Sequence, residues 1–312
     1  MYVGIDLGGT NIAAGVVDDY GKILVKDSTP TLGERTPEEI AEDMALLAKK
    51  VIKDAGLTDS DIKGIGIGVP GAVSNADGKV IETSNLPLSG FPLVAAIKKH
   101  IDVPVKLEND ANAAGFGEYV INGNGAESFV FVTLGTGVGG GIIINGDILR
   151  GANGVGGEIG HIVIKKGGEK CGCGRLGCWE AYASVTGLIR QTKAAIEAHP
   201  DSLMATIAKE EGKVSGRTSF EAAKKGDKYG QEVVDAYLEY VAEGIVNIVN
   251  IFQPNKVVIG GGISKEGDYL LNPIKEYVKK YDYNQILESV QIEIATLFND
   301  AGIIGAALAA KL

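Results

Sequence analysis

The chain has 312 residues, 45% of them hydrophobic and 22% charged, which excludes a disordered or coiled-coil chain and allows one large or two ordinary domains. Thirty Lys and Arg against 40 Asp and Glu leave a net charge of −10 with no basic run, so no nucleic-acid partner is expected. Without a basic-then-apolar leader or a run of ~18 apolar residues, the expectation is a soluble, cytoplasmic protein with no membrane partner.

In chain order, Tyr2–Leu7, Asn11–Val17 and 22–26 read as strands, punctuated by Gly8-Gly9 and Asp19-Tyr20-Gly21. Thr36-Pro37-Glu38-Glu39 then signals a helix start, and Ile40, Met44, Leu47 and Val51 recur at helical spacing. Strands at 62–69 and 103–107 flank a helix at 93–101, an order that predicts an α/β layer on a mixed sheet. The scheme restarts at Phe129 with a strand over 129–134, a glycine turn and a strand over 142–145. Helices are expected at 184–198, 202–211 and Lys228–Phe252, a buried strand at 257–259, and an apolar helix at 301–312 packing back between two related halves. The crossing between halves is placed near 116–125. The expected domains are 1–117 plus 301–312, and 118–300.

Glycine is the compositional outlier, 45 of 312 or about twice the usual ~7%, which implies tight turns or backbone close to a ligand. Two glycine clusters stand out. Asp6-x-Gly8-Gly9-Thr10-Asn11 puts a carboxylate at a strand end before a turn that can cradle a phosphate while the acid holds a hydrated Mg²⁺; a plain hairpin is the alternative. Gly135-Thr136-Gly137-Val138-Gly139-Gly140-Gly141 satisfies the spacing of a dinucleotide fingerprint, but Ile142, Ile143 and Ile144 make the following element a strand. A Rossmann dehydrogenase is therefore set aside, a Gly-Lys-Ser/Thr P-loop is missing, and a second hairpin phosphate loop remains.

Glu108-Asn109-Asp110-Ala111-Asn112 lies between a strand and a helix, where Asn and Asp serve either as helix caps or as a polyol-binding amide beside a general base. All three cysteines fall at 171, 173 and 178, and His161 precedes them. Three thiolates and one imidazole complete a tetrahedral zinc shell with no open position, so a structural zinc is expected. Glu158 and Glu180 flank this knot, which could aim both carboxylates at a hydroxylated ligand.

Together DLGGTN at 6–11, GVPG at 68–71, ENDAN at 108–112, LGTGVGGG at 134–141, GEIGH at 157–161 and CGCGRLGCWE at 171–180 resemble the ROK family (repressor, open reading frame, kinase) along the whole chain, and within it the bacterial glucokinases. The resemblance implies an actin-like, hexokinase-type fold of two ribonuclease-H-like domains that close on ATP and sugar. It implies ATP-dependent transfer to the 6-hydroxyl of glucose. N-acetylmannosamine, N-acetylglucosamine or another hexose is the alternative substrate, and a non-catalytic sugar-binding regulator the distant one. Asp110 matches the family's catalytic base, and Asn109, Asp110, Glu158, His161 and Glu180 its sugar-binding set. Asp6, Gly8, Gly9, Thr10 and Asn11 match the first phosphate loop, Gly135, Thr136 and Gly137 the second, and Gly260, Gly261 and Gly262 the adenosine turn. His161, Cys171, Cys173 and Cys178 match its zinc set. A homodimer or homotetramer is implied. A ROK repressor is not expected, because its DNA-binding segment precedes the first phosphate loop.

Overall fold

Gly8 and Gly9 split the first apolar run into an antiparallel hairpin, β1 (Tyr2–Leu7) with β2 (Asn11–Val17), which β3 (Ile23–Pro30) extends. The computed structural model describes residues 1–83, 85–123, 125–286 and 288–312; the crossing expected near 116–125 therefore includes one residue, Asn124, outside the described set. α1 (Pro37–Asp54) begins where Thr36 and Glu39 form a reciprocal capping box, and it buries Ile40, Met44, Leu47 and Val51 as their spacing predicts. There follow β4 (Gly64–Val69), a short hairpin of β5 (Ala72–Ser74) and β6 (Lys79–Glu82), α2 (Leu93–Lys98), β7 (Val105–Asn109) and α3 (Asp110–Asn122). The sheet order is β3-β2-β1-β4-β7, with β4 and β7 parallel to β1 and the hairpin strands antiparallel, which is the mixed sheet expected.

The scheme recurs in β8 (Ser128–Leu134), β9 (Val138–Ile144) and β10 (Asp147–Ile148). Then come α4 (Glu180–Ala183), α5 (Val185–Ala198), α6 (Leu203–Glu210), α7 (Thr218–Lys224), α8 (Lys228–Phe252), β11 (Lys256–Gly260), α9 (Asp268–Tyr281) and β12 (Gln291–Ile294). The second sheet runs β10-β9-β8-β11-β12. Sequence reading did not find β5, β6, α7, α9 and β12. The strands are three or four residues long, and Pro273 lies inside α9, where proline ordinarily signals a break.

The chain resolves into two compact units, one of Met1–Phe131, Gly140–Gly157 and Thr296–Leu312, the other of Val132–Gly139 and Glu158–Ala295. Val3, Ile5, Ile12, Met44, Ile65 and Ile67 form the centre of the first core. α10 (Asp300–Ala309) is buried on nearly every face, as its composition predicts, and packs on β1, β4 and α3 of that unit. The seat depends on missing side chains: a methyl added at Gly4 would lie 1.8 Å from the Ile303 carbonyl oxygen, and one at Gly66 1.7 Å from that of Ala306. In the second unit Trp179 is fully buried and its indole N–H donates to the Tyr240 carbonyl at 2.7 Å, fixing the start of α4 on α8. Among the described residues no helix is long and apolar enough to cross a membrane.

Candidate active site

In the first unit the parallel strands deliver three positions side by side, Asp6 of β1 opposite Gly68 of β4, and Gly68 opposite Glu108 of β7. These lie at or near the carboxyl ends of the strands, where open α/β sheets bind ligands. The chain turns into α3 directly after β7, so Asp110 occupies the first helical position and its carboxylate accepts from the Ala111 N–H at 2.8 Å. Asp6 and Asp110 are close enough to repel. Burial first, and the Asp110 charge second, push the Asp6 carboxyl from the usual 3.8 up to about 6. An acid held in that way is suited to a divalent cation, which removes both penalties.

Asn109 has the capping role that its position allowed: its side-chain oxygen accepts from the Asn112 N–H at 3.0 Å, while its amide donates to the Gly71 carbonyl at 3.1 Å. Behind it lies a network that the motifs did not reveal. Glu108 is buried, and its carboxylate accepts from the Arg150 Nε at 2.7 Å, the Asn112 amide at 3.1 Å and the Asn109 N–H at 3.1 Å. Arg150 is forty-two residues away, so no local pattern announces the pair. The first glycine loop is a tight turn in which the Gly8 N–H donates to the Asn11 carbonyl at 2.9 Å, leaving Gly9, Thr10 and Asn11 exposed. Thr31, also missed, braces it by donating from its hydroxyl to the Gly8 carbonyl at 2.7 Å.

In the second unit the loop Gly135-Thr136-Gly137 joins two strands, so the objection to a dinucleotide fingerprint holds. Val185 and Thr186 grip the loop from the start of α5 through the Gly135 and Thr136 carbonyls, at 2.9 and 2.7 Å. Glu180 lies against it: its carboxylate accepts from the Val138 N–H at 3.1 Å, and a methyl on Gly137 would lie 2.4 Å from the same oxygen. The adenosine-turn candidate, Gly260, Gly261 and Gly262, ends β11. Gly261 has φ +86 and backs on Leu134, the residue before the glycine loop, so these two glycine stretches are neighbours.

His161 closes a 3₁₀ turn (Ile159–His161), and Glu158 is exposed just before it. The ligand atoms of His161, Cys171, Cys173 and Cys178 all lie within 4.8 Å of one another. The Cys171 sulfur is 3.6 Å from His161 Nδ1, and the Cys173 and Cys178 sulfurs are 3.7 Å apart. A tetrahedral zinc with bonds of about 2.3 Å to sulfur and about 2.0 Å to nitrogen requires S···S and S···N edges of about 3.8 and about 3.5 Å, so these two separations match that ion. Burial pushes the Cys171 thiol up to about 12 and raises that of Cys178, whereas the Arg175 N–H lowers that of Cys173. The Cys171 thiol donates to the other Glu180 oxygen at 3.3 Å, which links the sulfur cluster to the glycine loop.

The sequence matches the ROK family over residues 2–312. The chain belongs to the ROK family. It is 40% identical to a glucokinase of Halalkalibacterium halodurans over 97% of this chain and 93% of that protein. Among solved structures, a ROK family glucokinase from Streptomyces griseus in complex with glucose and AMPPNP superposes with a TM-score of 0.83 at 34% identity, covering 99% of each chain. The ROK hexokinase from Thermus thermophilus superposes at 0.85 with 36% identity over 99% of this chain and 97% of that one. The fold is thus the actin-like, hexokinase-type fold of the ROK sugar kinases.

Proposed function

We infer that this chain is an ATP-dependent glucokinase, transferring the γ-phosphoryl group of ATP to the 6-hydroxyl of glucose to give glucose 6-phosphate and ADP. The observation that carries the reading is the pair of neighbouring carboxylates, Asp6 near the end of β1 and Asp110 at the start of α3, in a chain related along its length to glucokinases. Asp110 acts as the base: it takes the proton of the sugar 6-hydroxyl as that oxygen bonds to the γ-phosphorus and the bond to the ADP oxygen breaks. Asn109, Glu158, His161 and Glu180 bind the sugar: the carboxylates accept from its hydroxyls, while the imidazole, with one nitrogen on the metal, donates from the other.

The two glycine loops hold the phosphates through backbone N–H groups, and the turn at 260–262 accepts the adenosine. Asp6 would hold Mg²⁺, which neutralises charge on the transferred phosphoryl group. His161, Cys171, Cys173 and Cys178 would hold a structural zinc that fixes the segment carrying Glu158 and Glu180. The test is ADP release from MgATP with glucose, mannose, fructose, N-acetylglucosamine and N-acetylmannosamine. Glucose should give the highest kcat/KM, and Asp110→Asn should lower turnover by ~10²-fold or more while leaving glucose binding intact. Near-normal turnover in that variant removes Asp110 from the role of base, and a higher kcat/KM with an N-acetyl sugar reassigns the substrate.

A further inference from the structure

Asp6 makes an unusually close contact with the last helix. Gly302 is the third residue of α10, and a methyl placed on it would lie 2.6 Å from the Asp6 carboxyl carbon and 2.6 and 3.0 Å from its two oxygens. Outside α10 itself, the three atoms nearest that position are all of the Asp6 carboxylate, which packs where a side chain at 302 would stand. The acid therefore rests on the first turn of α10, at the end of the helix dipole that favours negative charge. On its open side Asp6 borders a cavity of about 490 Å³, whose wall includes Asn11 of the first glycine loop and Asn299, Asp300 and Ile303 from the start of α10.

Gly302 differs from the other α10 contacts in what a side chain would displace. At Gly4, Gly66 and Gly305 the obstacle is backbone, so substitution there attacks the packing of the unit. At Gly302 the three nearest atoms all belong to the tip of one side chain, so a methyl there presses on the Asp6 carboxylate rather than on backbone. Ordinary carbon contacts need more than 3.4 Å, so the carboxylate would have to move by most of an ångström or change rotamer.

We propose that Gly302 is a positioning residue for phosphoryl transfer: its bare Cα sets the Asp6 carboxylate for the nucleotide's cation. The inference rests on the reading of Asp6 given above. Gly302→Ala should lower kcat/KM for MgATP by on the order of 10²-fold, the usual consequence of a misplacement of this size, and weaken Mg-AMPPNP binding by calorimetry tenfold or more. The KM for glucose should stay within threefold of the parent. The Tm should hold or rise, because alanine favours helix over glycine. In an Asp6→Ala background the clash is gone, so adding Gly302→Ala should raise the Tm further and leave the residual nucleotide affinity unchanged.

A Gly302→Ala enzyme within threefold of the parent in kcat/KM for MgATP overturns the proposal. So does a Tm loss above 10 °C with glucose and nucleotide parameters impaired alike, which would make Gly302 a packing residue. Asp6→Asn with full turnover would instead overturn the role given to Asp6, whatever Gly302 does.

Discussion

Asp6→Asn exchanges a half-buried carboxylate for a neutral side chain of the same shape, so it separates what this acid does for catalysis from what it does to stability. Raising a carboxyl from 3.8 to about 6 means that the folded protein holds the ionised form at a penalty. Fully realised, that penalty is ~3 kcal/mol, and partial solvent exposure reduces it to about 1–2 kcal/mol. The variant should therefore lose turnover and gain roughly 2–6 °C in Tm without nucleotide or Mg²⁺. Between pH 3.8 and about 6 the folded wild type keeps a proton on Asp6 that the unfolded chain has released. Wild-type stability thus improves relative to the variant as pH falls through that window, and the penalty is complete above it. Scanning calorimetry at pH 4.5, 6 and 7.5 should show a gap that widens with pH and narrows again in millimolar Mg²⁺. A gap independent of pH, or a variant less stable than wild type at pH 7.5, would refute the account of Asp6.

Cys173→Ala should reduce bound zinc from one per chain to none by atomic absorption and raise the KM for glucose, since the segment carrying Glu158 and Glu180 loses its anchor; unchanged sugar affinity in a zinc-free variant would contradict this. Arg150→Met should destabilise the protein by ~3–5 kcal/mol in urea melts because it leaves Glu108 charged and buried, and adding Glu108→Gln should restore most of that loss. Failure of the double variant to recover would show that the pair contributes more than charge compensation. Gly244→Ala would set a methyl 1.9 Å from the Trp179 ring, so a loss of at least ~2 kcal/mol is expected. An unchanged Tm would mean that α4 and α8 can part without penalty.

What could be read from the sequence was what repeats locally. The period of Ile40, Met44, Leu47 and Val51 specified α1 because a buried helical face imposes it. The β-branched run after the second glycine cluster distinguished a hairpin from a dinucleotide fold. The spacing of His161 and the three cysteines predicts a cluster of possible metal ligands, and in the structure those four side chains do converge. The missing parts depend on contacts between distant residues. Glu108 looks like an ordinary acid until Arg150 is brought to it, Thr31 carries no motif, and the motif marks Glu180 as a sugar ligand without announcing the hydrogen bonds it accepts from the Val138 N–H and the Cys171 thiol. Gly302 is one glycine among 45, and nothing adjacent to it in the chain points to Asp6.

The seat of α10 on the first sheet also fixes a timetable. β1, β2 and β4 leave the ribosome among the first 69 residues, while the helix that covers them spans residues 300–309. At ordinary rates of synthesis the sheet waits on the order of ten seconds or more for its cover. During that interval the surface around Gly4 and Gly66 is a groove open to any apolar helix, so the nascent chain is a natural client for a holding chaperone. Translation that stops short of residue 300 should yield a product that aggregates rather than a smaller stable protein.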